Sequence, residues 1–296
     1  MIEGSIVAIV TPMSEDGSID YGAFDRLLEW HIVSGTDAIV VVGTTGESAT
    51  LTAEEHCDLV GHCVQTVNKR IPVIAGTGSN STQEALFFTQ SAKEHGADAC
   101  LLVTPYYNRP TQEGLFRHFK TLADSVDIPQ ILYNVPGRTA CDIQDETVER
   151  LADCKNIVAL KDATGDVKRG LDLIKRCDGR ITIYSGEDAN SLSLMLGGAK
   201  GSISVTANVA PELMSQMCKL AIAGNQQAAT ELDQKLLLLH RGLFVEANPI
   251  PVKWALTEMG MINAGIRLPL TELDREYHIQ VRDALHYAEV GLAAVA

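Results

Sequence analysis

The sequence predicts a closed (β/α)8 barrel followed by additional helices. Three observations lead there. Eight short apolar runs of strand type recur along the first two thirds of the 296-residue chain. Their starts lie roughly 20–35 residues apart, room for one strand, one helix and two loops. The runs are continuously apolar rather than alternating, as in parallel strands covered on both faces. An open doubly wound sheet is the competing architecture. The count of eight favours the barrel, and so does the lack of a G-x-G-x-x-G after the first run.

The elements follow in order. Ile6–Val10 is the first strand, Asp20 the N-cap of the helix after it, and Gly35 its left-handed end. Ala38–Val42 is the second strand, and Thr52-Ala-Glu-Glu55 reads as a capping box opening the next helix. Pro72–Gly76 comes third, with a second capping box at Ser81-Thr-Gln-Glu84 and a helix end at Gly96. Ala99–Val103 is fourth, and Thr111 caps its helix. Ile131–Asn134 and Ile157–Lys161 are fifth and sixth. Gly179 precedes the seventh, Ile181–Ser185, and Gly201–Val205 is the eighth. From Pro211 onward the pattern is helical only, broken at Pro249 and Pro251. The expected division is a barrel over residues 1–225 and a helical extension over 226–296.

Composition narrows the function. Hydrophobic residues are 46% and charged residues 21%, which fits a globular chain and excludes extended disorder. The net charge of −14 repels phosphate backbones, so no nucleic-acid partner is expected. No apolar run approaches the roughly 18 residues of a membrane span, and the start lacks the pattern of a signal peptide. Seven cysteines without a Cys-x-x-Cys read as reduced thiols in a cytoplasmic protein.

Chemistry in such a barrel sits at the C-terminal strand ends. None of the eight histidines lies there, and neither His-x-His nor His-Glu-x-x-His occurs, so no metal is expected. His56 and His62 lie near Cys57 and Cys63 but are six residues apart in an amphipathic helix pattern. Gly197-Gly-Ala-Lys-Gly201 precedes the eighth strand and so belongs to the opposite face from a phosphate site.

What remains is Lys161 closing the sixth strand and Tyr133 near the end of the fifth. Burial in an apolar barrel mouth lowers a lysine pKa, and a neutral amine attacks a ketone to form a Schiff base. The plainer reading of Lys161 is an ammonium leaving the strand for solvent. Tyr133 shifts the balance, because dehydration of a carbinolamine needs a proton shuttle. Thr44, Thr45, Tyr106 and Tyr107 are candidate links in a hydroxyl chain. Gly43-Thr-Thr-Gly46 offers closely spaced amides for a carboxylate, or is simply a chain reversal. Arg138 suits a second carboxylate, or a surface salt bridge.

At this point a family resemblance emerges. Gly43-Thr-Thr-Gly-Glu-Ser48, Thr104-Pro-Tyr-Tyr-Asn108, Tyr133-Asn-Val-Pro136 with Arg138, and Lys161-Asp-Ala-Thr-Gly165 closely resemble the dihydrodipicolinate synthase family of pyruvate Schiff-base aldolases. Ser202-Ile-Ser-Val-Thr-Ala-Asn208 and Phe244-Val-Glu-Ala-Asn-Pro-Ile-Pro-Val-Lys-Trp254 extend the match to essentially the whole chain. The resemblance implies a metal-free, cofactor-free lyase that condenses pyruvate with L-aspartate 4-semialdehyde on the way to diaminopimelate and lysine. It implies Lys161 as the Schiff-base residue and Tyr133 as general acid/base, in a relay with Thr44 and with Tyr107 of a neighbouring subunit. Thr45 would hold the pyruvate carboxylate and Arg138 that of the semialdehyde, with main-chain groups of Gly186 and Ile203 completing the pocket. A homotetramer built as a dimer of dimers is implied too. So is inhibition by L-lysine at Ser48, Ala49, His56, Asn80, Glu84 and Tyr106. Two departures stand out: Gly137 where many members carry Ser, and Ala53 where some regulated members carry His. N-acetylneuraminate lyase and 2-keto-3-deoxy sugar acid aldolases share the Lys and Tyr, and a barrel kept as a pyruvate sensor without turnover is a third reading. Arg138 and the Tyr106-Tyr107 pair favour the semialdehyde enzyme.

Overall fold

The structure, a computed structural model, describes residues 2–291. Eight parallel strands close into a barrel in sequence order. They are β1 (Gly4–Ala8), β2 (Ala38–Val41), β3 (Val73–Gly76), β4 (Ala99–Val103), β5 (Gln130–Asn134), β6 (Ile157–Asp162), β7 (Thr182–Ser185) and β8 (Gly201–Ser204). Between them run α1 (Tyr21–Val33), α2 (Ala53–Val67), α3 (Thr82–Glu94), α4 (Gln112–Ser125), α5 (Pro136–Thr139), α6 (Asp145–Leu151), α7 (Val167–Cys177) and α8 (Ser191–Leu196). After β8 come α9 (Pro211–Ile222), which packs against β1, then α10 (Gln226–Gly242), α11 (Ile250–Glu258) and α12 (His278–Tyr287).

The strands are buried on both faces and mostly apolar, with a few polar residues such as Ser5, Gln130, Ser202 and Ser204, and the period of two still sorts them. Ile6, Val40, Ile74, Ile131, Ala159 and Ile203 fill the barrel interior. Val7, Ile39, Val41, Leu102, Leu132 and Leu160 face the helices. Tyr133 follows Ile131 by two and Lys161 follows Ala159 by two, so both point inward.

Most expected caps form. Asp20 Oδ1 accepts from Ala23 N at 2.8 Å and Thr111 Oγ1 from Gly114 N at 3.2 Å. The Thr52–Glu55 box is complete, with both reciprocal bonds present. The Ser81–Glu84 box is only half made and corrects the sequence reading. Ser81 Oγ accepts the Glu84 amide, but the Glu84 carboxylate turns to the Ser79 hydroxyl, which also takes the Ser81 amide. Gly35, Gly96 and Gly179 have φ of +82°, +86° and +75°, as left-handed helix ends require.

The first strand begins and ends two residues earlier than its apolar run. Pairing with β8 starts at Gly4 opposite Gly201, and past Ala8 the chain peels off, sending the Val10 amide to Asn208 Oδ1 at 3.0 Å. All seven cysteines are free thiols. No helix among the described residues is long and apolar enough to cross a membrane.

Candidate active site

Tyr133 and Lys161 are register partners on β5 and β6. Lys161 is 5% exposed and Tyr133 7%, and the Lys161 Nζ lies 4.3 Å from the centre of the Tyr133 ring. Burial is the main influence on the lysine and brings its pKa down to about 8. Asp188 opposes that shift, Arg138 reinforces it and Glu187 opposes it. An amine with that pKa is roughly a tenth neutral at pH 7, against a few parts in ten thousand (roughly) for an ordinary lysine. Lys161 therefore does not exit to solvent. Burial also lifts the Tyr133 phenol to about 12, against the pull of Arg138 and of a hydrogen bond with the Thr44 side chain.

Gly186, just past β7, leaves room for this lysine. A Cβ there would lie 2.9 Å from Lys161 Cε and 2.8 Å from Ala163 Cβ. Its amide donates to the Asp162 carbonyl at 2.7 Å. Ile203, on β8, is fully buried in the barrel interior.

The Gly43–Ser48 loop caps β2 with a tight set of turn bonds. The Gly46 and Ser48 amides donate to the Gly43 carbonyl, and the Glu47 amide to that of Thr44. Among the described residues, the Thr44 and Thr45 amides donate to no protein acceptor. They are the donors such a loop can offer to an anion. Thr45 is buried, and its hydroxyl takes a hydrogen bond from Asn248 Nδ2 at 3.0 Å.

Arg138 stands on α5, at the rim. Its Nη2 donates to the Asn248 carbonyl at 3.3 Å, and it forms no ion pair among the described residues. The surface salt bridge is thus absent there, and the guanidinium remains open to a carboxylate. At Gly137 an added Cβ meets nothing within 4 Å, so the residue is not sterically required.

A cavity of about 400 Å³ opens beside this group. Ser48, Ala49, His56, Glu84 and Tyr106 line it, together with Thr44 and Arg138. Ala53 is also on its wall. Asn80 is not on the wall but donates to the Tyr106 carbonyl at 3.1 Å. His56 is buried, hydrogen-bonded through Nε2 to the Gly76 carbonyl at 2.8 Å, and stacked on Phe88 at 4.2 Å between ring centres. Burial lowers its pKa to about 4, so it is neutral. His62 turns elsewhere, to Asp25 at 2.6 Å.

Tyr107 does not join its own chain's Tyr133. It is 89% exposed, with a left-handed φ of +72°. Four further buried polar residues at the barrel mouth, Glu47, Asp188, Asn248 and Lys253, are not evident from the strand ends in the sequence. Asp188 accepts from the Val205 and Thr206 amides at 2.9 Å each. Asn248 bridges Thr45 and Arg138, and Glu47 is paired with Lys253. The place of Glu47 within the Gly43–Ser48 loop is its signal in the sequence; nothing local marks Asn248.

Comparison with known proteins agrees with this geometry. The model of the dihydrodipicolinate synthetase family matches residues 1–288. A 4-hydroxy-tetrahydrodipicolinate synthase from Marinobacter nauticus is 60% identical over 96% of this chain and 98% of that one. The crystal structure of a chloride-inhibited dihydrodipicolinate synthase from Acinetobacter baumannii, complexed with pyruvate, superposes with a TM-score of 0.97. It is 56% identical over 98% of this chain and 100% of its own. A Cyanidioschyzon merolae structure with lysine bound gives 0.93 at 38% identity, over 97% and 98% of the two chains. The chain belongs to the dihydrodipicolinate synthetase family.

Proposed function

We propose that this member of the family is a 4-hydroxy-tetrahydrodipicolinate synthase, condensing pyruvate with L-aspartate 4-semialdehyde through a Schiff base on Lys161. The observation that carries it is the buried Lys161 amine, its pKa lowered to about 8, set against Tyr133. The neutral amine adds to the pyruvate keto carbon. Tyr133 shuttles the protons needed to expel water and leave an iminium. Loss of a methyl proton gives an enamine, whose carbon attacks the semialdehyde carbonyl. The Thr44 and Thr45 amides and the Thr45 hydroxyl hold the pyruvate carboxylate, and main-chain groups of Gly186 and Ile203 complete the pocket. Arg138, unpaired at the rim, holds the carboxylate of the semialdehyde.

Thr44 continues the relay from Tyr133, and the exposed Tyr107 completes it in a neighbouring subunit. The working assembly is a homotetramer, a dimer of dimers, in the cytoplasm. L-Lysine binds in the cavity formed by Ser48, Ala49, His56, Glu84 and Tyr106, with Asn80 bracing Tyr106. The Marinobacter name and the pyruvate and lysine in the two crystal structures support these assignments. A sugar-acid aldolase is less well matched, because its aldehyde needs hydroxyl partners rather than an open guanidinium.

Borohydride trapping with pyruvate, followed by mass spectrometry, tests the proposal together with a coupled condensation assay. A pyruvyl group on Lys161 and turnover with the semialdehyde are expected. An adduct on another lysine would overturn the assignment; trapping without turnover would favour the sensor.

A further inference from the structure

We propose that Glu47 and Lys253 are positioning residues: their buried ion pair, reaching from α11 into the barrel mouth, fixes the loop that presents Thr44 and Thr45 to pyruvate. This rests on the reading of that loop given above. Glu47 lies two residues past Thr45 and forms the end of the same turn. Its side chain is fully buried and that of Lys253 is 5% exposed. The second carboxylate oxygen of Glu47 accepts the Arg267 amide at 3.1 Å. Asn248, five residues before Lys253, holds the Thr45 hydroxyl. The barrel itself grips the turn through the Thr11 hydroxyl, which donates to the Gly46 carbonyl at 2.7 Å, and through the side-chain hydrogen bond between Thr44 and Tyr133. The segment 248–267 therefore fastens the loop at Thr45 and, two residues on, at Glu47.

Two features of Glu47 work against stability. Its backbone is left-handed at φ +57°, a conformation that favours glycine. Its charge is buried, and a buried ion pair is commonly no more stabilising than apolar side chains of similar volume. A residue placed there only for stability would be neither charged nor anything but glycine. What the pair supplies is direction. It anchors the turn against α11, so that the two free amides keep the orientation that the turn gives them. The Lys253 ammonium keeps its partner despite burial, which lowers its pKa while Glu47 raises it.

The test uses the full-length protein and the double variant Glu47→Leu/Lys253→Met, which removes both charges without orphaning either. A folded variant with a somewhat lower melting temperature is expected, because the Arg267 amide loses its acceptor, with pyruvate KM raised about tenfold or more and slower trapping on Lys161, as for a misplaced binding group. The semialdehyde KM, set by Arg138, should change less. A stable double variant with wild-type pyruvate KM and trapping rate would overturn the proposal. Should the double variant fail to fold, Glu47→Asp retains the charge and shortens the reach by one methylene. It should raise pyruvate KM likewise, and an unchanged KM there would also overturn it. Wild-type trapping separates the two claims: if the wild type traps no pyruvate on Lys161, the functional reading falls. If only the variants behave as wild type, the positioning role falls.

Discussion

Replacing Gly186 by Ala places a methyl group 2.9 Å from Lys161 Cε and 2.8 Å from Ala163 Cβ. Non-bonded carbons settle at about 3.5–4.0 Å, so the lysine chain must retreat by about 0.6–1.1 Å. Cε is near the free end of a flexible chain, so its retreat is cheap for the fold, whereas the Ala163 Cβ is fixed to the backbone and yields only by a backbone shift. The lysine's retreat is costly for chemistry, because a displacement of about 1 Å in a reacting group costs about 10²-fold in rate. The expected result is a kcat lower by about 10²-fold, equivalent to about 2.7 kcal/mol of activation free energy. A lower melting temperature should accompany it, because the Ala163 contact is relieved only by a backbone shift. Steady-state turnover and the rate of borohydride trapping on Lys161 are the readouts, with Gly137→Ala as the control. A Cβ at 137 meets nothing within 4 Å, so that variant should keep its stability and pyruvate KM. Turnover of Gly186→Ala within about threefold of wild type would refute the reasoning. It would mean that the lysine has slack and that the glycine serves only its backbone.

Four further outcomes follow from the site. Tyr133→Phe should lose about 10²–10⁴-fold in activity with little change in melting temperature, as for a lost proton shuttle; matched losses of both would mark a structural tyrosine. The rate of adduct formation by the free enzyme should rise with pH through about 8, where Lys161 gives up its proton. A midpoint near the usual lysine range would show an unperturbed amine. Burial lowers His56 and His118 to about 4 and His31 to about 3, while the unfolded chain takes up these protons near the ordinary value of 6.5. Stability should therefore be full above about 6.5 and fall as pH drops toward 4, measured by denaturant melts; a flat profile there would contradict it. Millimolar L-lysine should inhibit the wild type and inhibit Glu84→Ala less, whereas equal inhibition of both would place the effector elsewhere.

The barrel was legible because each strand announces itself locally. A continuous apolar run of four or five residues between helix-capping signals needs no knowledge of its neighbours. Lys161 and Tyr133 were legible for a related reason. A polar residue ending such a run points to the barrel mouth, and the period of two then sends it inward with Ala159 or Ile131. The misread features are those that a neighbour decides. The first strand shifts because Gly201 pairs with Gly4, and the Ser81 box opens because Ser79 captures the Glu84 carboxylate. Neither event leaves a trace in the local pattern.

The same limit explains why the loop's supports were not found. Asn248 and Thr45 are 203 residues apart, and Lys253 and Glu47 are 206 apart. In sequence, Lys253 is one of eleven lysines and interrupts the mostly apolar run Ile250-Pro-Val-Lys-Trp-Ala-Leu256. Only the closed barrel brings α11 over the mouth, where both polar partners lose their water together. Burial costs each of them hydration, and the cost is tolerable only where donor and acceptor meet in good geometry. The contact therefore constrains the backbone on both sides. On one side lies the turn carrying Thr44 and Thr45; on the other lies Asn248, which also receives Arg138. A shift of α11 would move the groups assigned to the pyruvate carboxylate and the anchor of the group assigned to the second carboxylate in the same direction. The helices beyond the barrel thus belong to the physical definition of the site, although every reacting group stands on the barrel itself.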